Sequence, residues 1–115
     1  MPYININITN KLKDQEKDII KSKLGELITI IPGKNEAVLM IGINDGYTIY
    51  FAGDKKEKSA YITIQMYKSS EFEYEAEFTK KVFEFFEEEF EISKNNLYLN
   101  FGEHEYWGAK GVLKR

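Results

Sequence analysis

Apolar and polar residues alternate strictly at the start of the chain. In YININI, Ile4, Ile6 and Ile8 fall on one side and two asparagines on the other, which is the period-two pattern of a half-buried strand. Three later segments, AVLMIGI, SAYITIQM and NLYLNF, are also predicted to be strands. A further short strand is expected at YTIYF, after the turn residues 44–46.

Two other segments show helical spacing. KDQEKDIIKSKLGELITII is predicted to be a helix that stops at Pro32 and Gly33. A second helix is predicted over SSEFEYEAEFTKKVFEFFEEEF, with Ser70 and Glu73 in the spacing of a capping box. The apolar stripes of these helices are Ile20, Leu24, Leu27, Ile28 and Ile31 in the first, and Phe78, Val82, Phe85 and Phe86 in the second.

The two halves of the chain resemble each other. Residues of the first strand recur 58 positions later, Tyr3, Ile4 and Ile6 matching Tyr61, Ile62 and Ile64. The helix stripes match after the same shift. The sequence therefore predicts one domain, residues 1–115, made of pseudo-repeats 2–57 and 58–115. Its expected class is α/β (α+β), a duplicated β-α-β unit whose four-stranded mixed sheet carries both helices on one face.

The other face of the predicted sheet has a mixed character. It carries Asn5, Asn7, Thr63 and Gln65, but also Tyr98. Either water or another subunit is therefore expected to cover it.

Composition and charge narrow the chemistry. Sixteen basic and nineteen acidic side chains leave a net charge of −3, which implies no affinity for nucleic acid. The absence of cysteine excludes disulfides, thiolate metal sites and cysteine nucleophiles. The one histidine, His104, stands in the polar segment GEHEYWG and is expected to be an ordinary exposed loop residue, so no metal site is predicted.

No apolar run approaches the roughly 18 residues of a membrane span, and no signal peptide is recognisable. A soluble, cytoplasmic protein with no membrane partner is expected, with secretion that needs no leader left open. Nucleotide-binding glycine patterns are also missing, and no cofactor is predicted.

The opening MP offers Pro2 a chemical role beside a structural one. Proline is tolerated at the start of a strand, but removal of Met1 would make Pro2 an N-terminal secondary amine. Together with the duplicated unit, GK after the first helix, LYLNF in the last strand and the tail EYWGAKG, this start resembles the macrophage migration inhibitory factor family of the tautomerase superfamily. The resemblance covers nearly the whole chain.

The resemblance implies a homotrimer whose sheets line a central barrel, with active sites between subunits. Pro2 would then be the catalytic residue, Lys34 would bind the substrate carboxylate, and Tyr67 would contribute partly through its backbone N–H. Two further substrate-binding residues, Tyr98 and Asn100, would come from the neighbouring subunit. Additional candidates for the pocket wall are Tyr3, Trp107 and Ala109, the last of which stands where the family usually has an aromatic side chain.

Most of these residues also have a purely structural interpretation. Lys34 follows a helix end, where a cation is favourable in any case. Tyr98 and Asn100 alternate on one face of a strand, as plain interface residues would. These alternatives stay open at the level of sequence.

Two functions follow. The first is keto–enol tautomerisation of phenylpyruvate-like α-keto acids, with Pro2 as general base and then acid, since an α-amine titrates at about 7.7–8.0 and a general base works best near the ambient pH. It requires removal of Met1, because an amide nitrogen is not basic. The second is a non-catalytic, cytokine-like binding or signalling protein, which a retained Met1 and Ala109 would favour. An RNA-binding β-α-β-β-α-β domain is disfavoured, because no basic face accompanies the strand aromatics.

Overall fold

The computed structural model describes residues 1–115. Its helices are α1 (Asp14–Leu27) and α2 (Phe72–Phe90). Three short 3₁₀ turns cover Ile28–Ile30, Glu36–Val38 and Lys94–Asn96. The strands are β1 (Pro2–Ile8), β2 (Met40–Asn44), β3 (Tyr50–Phe51), β4 (Asp54–Lys55), β5 (Ala60–Tyr67), β6 (Leu97–His104), β7 (Trp107–Ala109) and β8 (Val112–Lys114).

Four of the strands form one mixed sheet in the order β2-β1-β5-β6. β1 pairs with β2 in parallel and β5 pairs with β6 in parallel, while β1 and β5 are antiparallel neighbours in the middle. Each parallel pair is connected through one helix, as parallel strands require a long crossover. The predicted duplicated β-α-β fold is confirmed.

Both helices pack against the same face of this sheet. Ile4, Ile6, Ile62 and Ile64 are fully inaccessible to solvent, whereas the residues between them are at least partly exposed. The alternation follows from the pleat, which turns successive side chains to opposite faces. The rest of the apolar core comes from the predicted helix stripes, from Leu12, Phe90 and Ile92, and from the sheet residues Ile8, Ala60, Met66 and Leu97.

The helix boundaries differ from the prediction at two places. α1 ends at Leu27 and tightens into a 3₁₀ turn before Pro32 is reached. At the start of α2, Glu71 is the N-cap residue and forms no side-chain cap. The Ser70 N–H instead donates to the carboxylate of Glu103, at 3.0 Å, so the capping box predicted for Ser70 is wrong.

The tail contains a hairpin that the alternation of residues did not predict. β7 and β8 are antiparallel, with Ala109 opposite Val112, and the two residues between them, Lys110 and Gly111, both have positive φ. Such a turn suits the twist of a two-residue hairpin. Neither α1 nor α2 has the length and apolar character needed to cross a bilayer.

Two carboxyl groups, Glu75 on α2 and Glu103 on β6, influence each other's ionisation in opposite directions. Burial and the adjacent Glu103 carboxyl raise the pKa of Glu75 to about 7. Hydrogen bonds from Glu75 and from the Ser70 N–H lower the pKa of Glu103. Glu75 Oε2 is buried and has no hydrogen-bond partner in the protein, a setting that favours the neutral over the charged form of this carboxyl.

Substitution Glu75→Gln is expected to reduce the pH dependence of stability. An unfolded glutamate titrates near 4.5 whereas folded Glu75 titrates near 7, so the folded chain binds more protons between these values. The free energy of unfolding therefore falls as the pH rises through this window. Across this window we expect the free energy of unfolding of the wild type to fall by about 1 kcal/mol more than that of the variant. The figure is kept small because solvent screens part of the interaction.

Urea unfolding of both proteins across this pH window measures the effect. Glu77→Gln, which removes an exposed carboxylate from the same helix, is the matched control and should follow the wild type. Equal pH slopes in the wild type and Glu75→Gln would contradict the raised pKa of Glu75.

Candidate active site

Pro2 lies at the outer end of β1, where its residue is buried. Its Cα is opposite that of Met66 on β5. Proline has no N–H to donate, but at the first residue of a strand this costs the sheet no ladder hydrogen bond. Met1 precedes it, so the first amine of the chain lies just beyond the sheet.

Lys34 reaches this same end of the sheet from the loop after α1. Its Nζ donates to the carbonyl oxygen of Tyr67 at 2.9 Å. The pKa of the Met1 amine is lowered, first by burial, then by the charge and the hydrogen bond of Lys34, and last by Lys114. The structure thus brings the predicted carboxylate-binding lysine to the N-terminus.

Tyr67 contacts both Met1 and Lys34 through its backbone. Its N–H donates to the carbonyl oxygen of Met1 at 3.3 Å, and its carbonyl receives Lys34. The phenol hydroxyl donates to the carbonyl oxygen of Arg115, and Lys68 Nζ lies 5.0 Å from the ring centroid. Removal of Met1 would therefore expose the Pro2 nitrogen and also free a backbone donor one strand away.

A cavity of about 710 Å³ adjoins the N-terminus. All three residues predicted for the pocket wall, Tyr3, Trp107 and Ala109, line it together with Pro2. The rest of its wall is mostly apolar, and a few polar groups converge on it, which is the usual composition of a small-molecule site. The tail hairpin closes one side of this cavity.

Tyr98 and Asn100 lie elsewhere in the chain. Tyr98 is 62% exposed and packs against Phe51, with ring centroids 5.1 Å apart. Asn100 Oδ1 accepts a hydrogen bond of 3.1 Å from the Tyr61 hydroxyl. Neither residue lines the cavity beside Pro2, and Lys34 and Tyr67 do not line it either but lie beside the N-terminus. Within one chain, the predicted catalytic and substrate-binding residues therefore do not line a single cavity.

Two polar residues on the cavity wall were not predicted. Gln65 and His104 both line it. His104 is exposed as expected, but it lies at the end of β6 and not in a loop. The sequence did contain one signal for this region. Gly42 and Gly102 are 60 positions apart, the separation that also relates the last strands of the two repeats.

These two glycines shape the open face of the sheet at the cavity. A Cβ on Gly42 would lie 2.7 Å from the Tyr3 hydroxyl, and one on Gly102 would collide with the Gln65 amide. Tyr3 and Gln65 are direct partners across β1 and β5, yet their ends turn towards opposite edges of the sheet. The floor between them is left open to the cavity.

No cluster of three or more side chains suited to hold a metal ion occurs in the structure. The functional groups at the site include the N-terminal amine, the Lys34 ammonium, backbone N–H donors and the neutral Gln65 amide. Such groups can bind an organic anion and transfer a proton.

Known proteins share this architecture. The family model described as macrophage migration inhibitory factor (MIF) matches residues 1–111. No curated protein sequence matches the chain. The structure of MIF2 from Leishmania major superposes with a TM-score of 0.90 at 19% identity, covering 99% of this chain and 97% of the other.

Two further solved structures extend this comparison. A macrophage migration inhibitory factor-like protein of Entamoeba histolytica superposes with a TM-score of 0.85 at 21% identity, over 98% of each chain. Pt0534, described as inactivated by 2-oxo-3-pentynoate, superposes with a TM-score of 0.83 at 12% identity, over 96% of this chain and 94% of the other. At such identities the structural likeness shows the fold.

Proposed function

Because the chain belongs to the macrophage migration inhibitory factor family, we propose that it is a keto–enol tautomerase of phenylpyruvate-like 2-oxo acids, with the Pro2 amine as general acid and base. One observation carries this proposal. The N-terminus, the Lys34 ammonium and the Tyr67 backbone N–H meet beside a largely apolar cavity of about 710 Å³.

The reaction moves one proton and needs no other reactant. The Pro2 nitrogen takes a proton from the carbon next to the ketone, the C–H electron pair forms the carbon–carbon double bond, and the carbonyl oxygen becomes an enolate. The protonated Pro2 amine then gives the same proton to the enolate oxygen, which regenerates the free amine and yields the enol. The reverse sequence converts the enol to the ketone. Lys34 binds the carboxylate, and the Tyr67 N–H donates to the developing enolate.

The surroundings of the N-terminus favour a neutral amine. Burial and Lys34 lower the pKa of the Met1 amine, and the same influences would act on a Pro2 amine at the start of β1. A base whose pKa lies near the working pH transfers protons most efficiently. Lys34 therefore has two effects, since it holds an anionic substrate and keeps the base unprotonated.

This function requires Pro2 to be the first residue of the mature chain. With Met1 attached, the Pro2 nitrogen is an amide and the Tyr67 N–H is occupied by the Met1 carbonyl. Removal of Met1 would therefore create the basic Pro2 amine and free the Tyr67 N–H at the same time.

We also propose that the working form is a homotrimer in which Tyr98 and Asn100 complete the site of a neighbour. Two observations support this. Tyr98 is 62% exposed on the face of the sheet that carries no helix, and neither residue reaches the cavity of its own chain.

A second candidate function is binding or signalling without turnover. It is favoured by Ala109, which lines the cavity at the position where the resemblance leads us to expect an aromatic wall. A smaller side chain there leaves a wider cavity that holds a flat substrate less firmly.

The Pro2→Gly variant tests the tautomerase function. We expect the enol–keto conversion of phenylpyruvate to slow by about 100-fold or more in kcat/KM, the usual contribution of a positioned general base. Pro32→Gly, which changes the only other proline, is the control and should retain the wild-type rate. Equal rates for Pro2→Gly and the wild type would rule out the proposed base.

Mixed assemblies test whether the site is shared between subunits. Pro2→Gly and Tyr98→Ala are each expected to be poorly active. After refolding of an equal mixture, roughly a quarter of the sites would combine an intact Pro2 with an intact Tyr98 from the neighbour, and activity should rise accordingly. Activity of the mixture no higher than the average of the two parents would contradict a shared site.

A further inference from the structure

His104 is the one histidine of the chain and it shares the cavity with Pro2. Its Nε2 lies 2.5 Å from Gln65 Oε1. Its ring centroid lies 6.0 Å from that of Trp107. The imidazole is therefore held from two sides, by an amide oxygen on β5 and by an indole on β7.

The hydrogen bond between Gln65 and His104 is possible because residue 102 is glycine. Gly102 pairs with Gln65 across β5 and β6, and any Cβ at this position would collide with the Gln65 amide. The amide can therefore lie flat over β6. His104 is two residues further along the same strand and so faces the same side of the sheet.

This hydrogen bond fixes which nitrogen of the imidazole is available. The Gln65 carbonyl oxygen can only accept, so Nε2 carries the proton that it donates. Nδ1 makes no hydrogen bond within the protein. When the ring is charged, Nδ1 becomes a second donor that a ligand can use.

His104 lies away from the end of the cavity where Pro2 would react with the substrate. Pro2 is on β1 and His104 on β6, with β5 between them. Neighbouring strands are about 4.8 Å apart, so about 10 Å separates the two backbones. A substrate that places its reacting carbon at Pro2 extends towards His104 with its opposite end.

The charges around this cavity favour an anion. None of its lining residues is an aspartate or a glutamate, whereas Lys110 lines it as well. The nearest acidic residues in sequence are Glu103, whose carboxylate accepts from the Ser70 N–H, and Glu105. Other titratable or charged groups on or beside the cavity are the Met1 amine, Tyr3, Lys34, Tyr106 and Lys114. Tyr67 is opposite His104 across β5 and β6, the Lys68 N–H donates to the His104 carbonyl, and the C-terminal Arg115 contacts the Tyr67 hydroxyl.

The geometry points to His104 as the residue that binds a second acidic group of the substrate, at the end of the cavity remote from Pro2. The favoured ligands are then 2-oxo acids with an additional carboxylate at the far end of an aromatic or similarly rigid skeleton. This assignment rests on the proposed function for the orientation of the substrate, but ligand binding can be measured without turnover.

A pair of unreactive ligands tests the assignment. 3-Phenylpropanoate and 3-(4-carboxyphenyl)propanoate share one skeleton and differ by the second carboxylate, and neither can tautomerise. Trp107 is the only tryptophan, so its fluorescence reports binding in this cavity directly. Met1-processed protein is used throughout.

At pH 6 we expect the dianion to bind the wild type about tenfold more tightly than the monoanion, as one charge-assisted hydrogen bond allows. In His104→Gln this preference should fall to about twofold or less. Gly102→Ala, which keeps the imidazole but displaces the Gln65 amide, should also weaken the preference. Circular dichroism verifies that each variant is folded.

The preference of the wild type should also shrink once the imidazole is neutral, because Nδ1 then has no proton to donate. The N-terminal amine also changes charge with pH, but it acts on the carboxylate that both ligands share, so its effect cancels in the ratio of their dissociation constants. Lys110→Gln removes the other cation on the cavity wall, and the pH dependence of this ratio should be unchanged in this variant.

A ratio that is the same in the wild type, His104→Gln and Gly102→Ala would overturn the assignment, as would a ratio that depends on Lys110 alone. Failure of the tautomerase function is a different result, recognised by equal phenylpyruvate turnover in the wild type and Pro2→Gly. The two outcomes are therefore distinguishable.

Discussion

The antiparallel pairing of β1 with β5 is the constraint on which the rest of the structure depends. It runs without interruption from Pro2 opposite Met66 to Ile8 opposite Ala60. This pairing joins the two β-α-β units into one sheet and lets both helices cover one continuous row of buried isoleucines. It also places the beginning of the chain beside the end of β5, where the Tyr67 backbone bonds to Met1 and to Lys34.

The same register explains why the candidate site lies at a sheet end. In this sheet the start of β1 coincides with the ends of β5 and β6, so the N-terminal amine, the Tyr67 backbone and the His104 side chain meet there. The pleat sends apolar residues to the helices and leaves the opposite face for polar ones. Glycines at positions 42 and 102 then let Tyr3 and Gln65 lie over the neighbouring strands, which opens the floor of the cavity.

Much of the fold could be predicted from the sequence because local periodicity determined it. The isoleucine alternation, the helix stripes and the 58-residue repeat indicated the sheet, the helices and their duplication. The tail hairpin could not be found in this way, because its strands have three residues each and depend on a turn with positive φ. His104 is exposed as predicted, but it ends β6 instead of lying in a loop, and its contacts with Gln65 and Trp107 exist only in the folded chain. The role of the Tyr67 backbone came only from the family resemblance, because a residue pattern does not reveal backbone contacts. That role, the trimer and the cytoplasmic location stay predictions.

One comparison bears most directly on the proposed mechanism, because it changes nothing but the first residue. The same sequence is prepared with Met1 removed and with Met1 retained by inhibiting methionine aminopeptidase, and intact mass establishes each N-terminus. The rate of phenylpyruvate enol–keto conversion is then measured for both. The account predicts activity in the Met1-free protein and a rate lower by about 100-fold or more when Met1 is present. Equal rates in the two forms would contradict a catalytic role for the Pro2 amine.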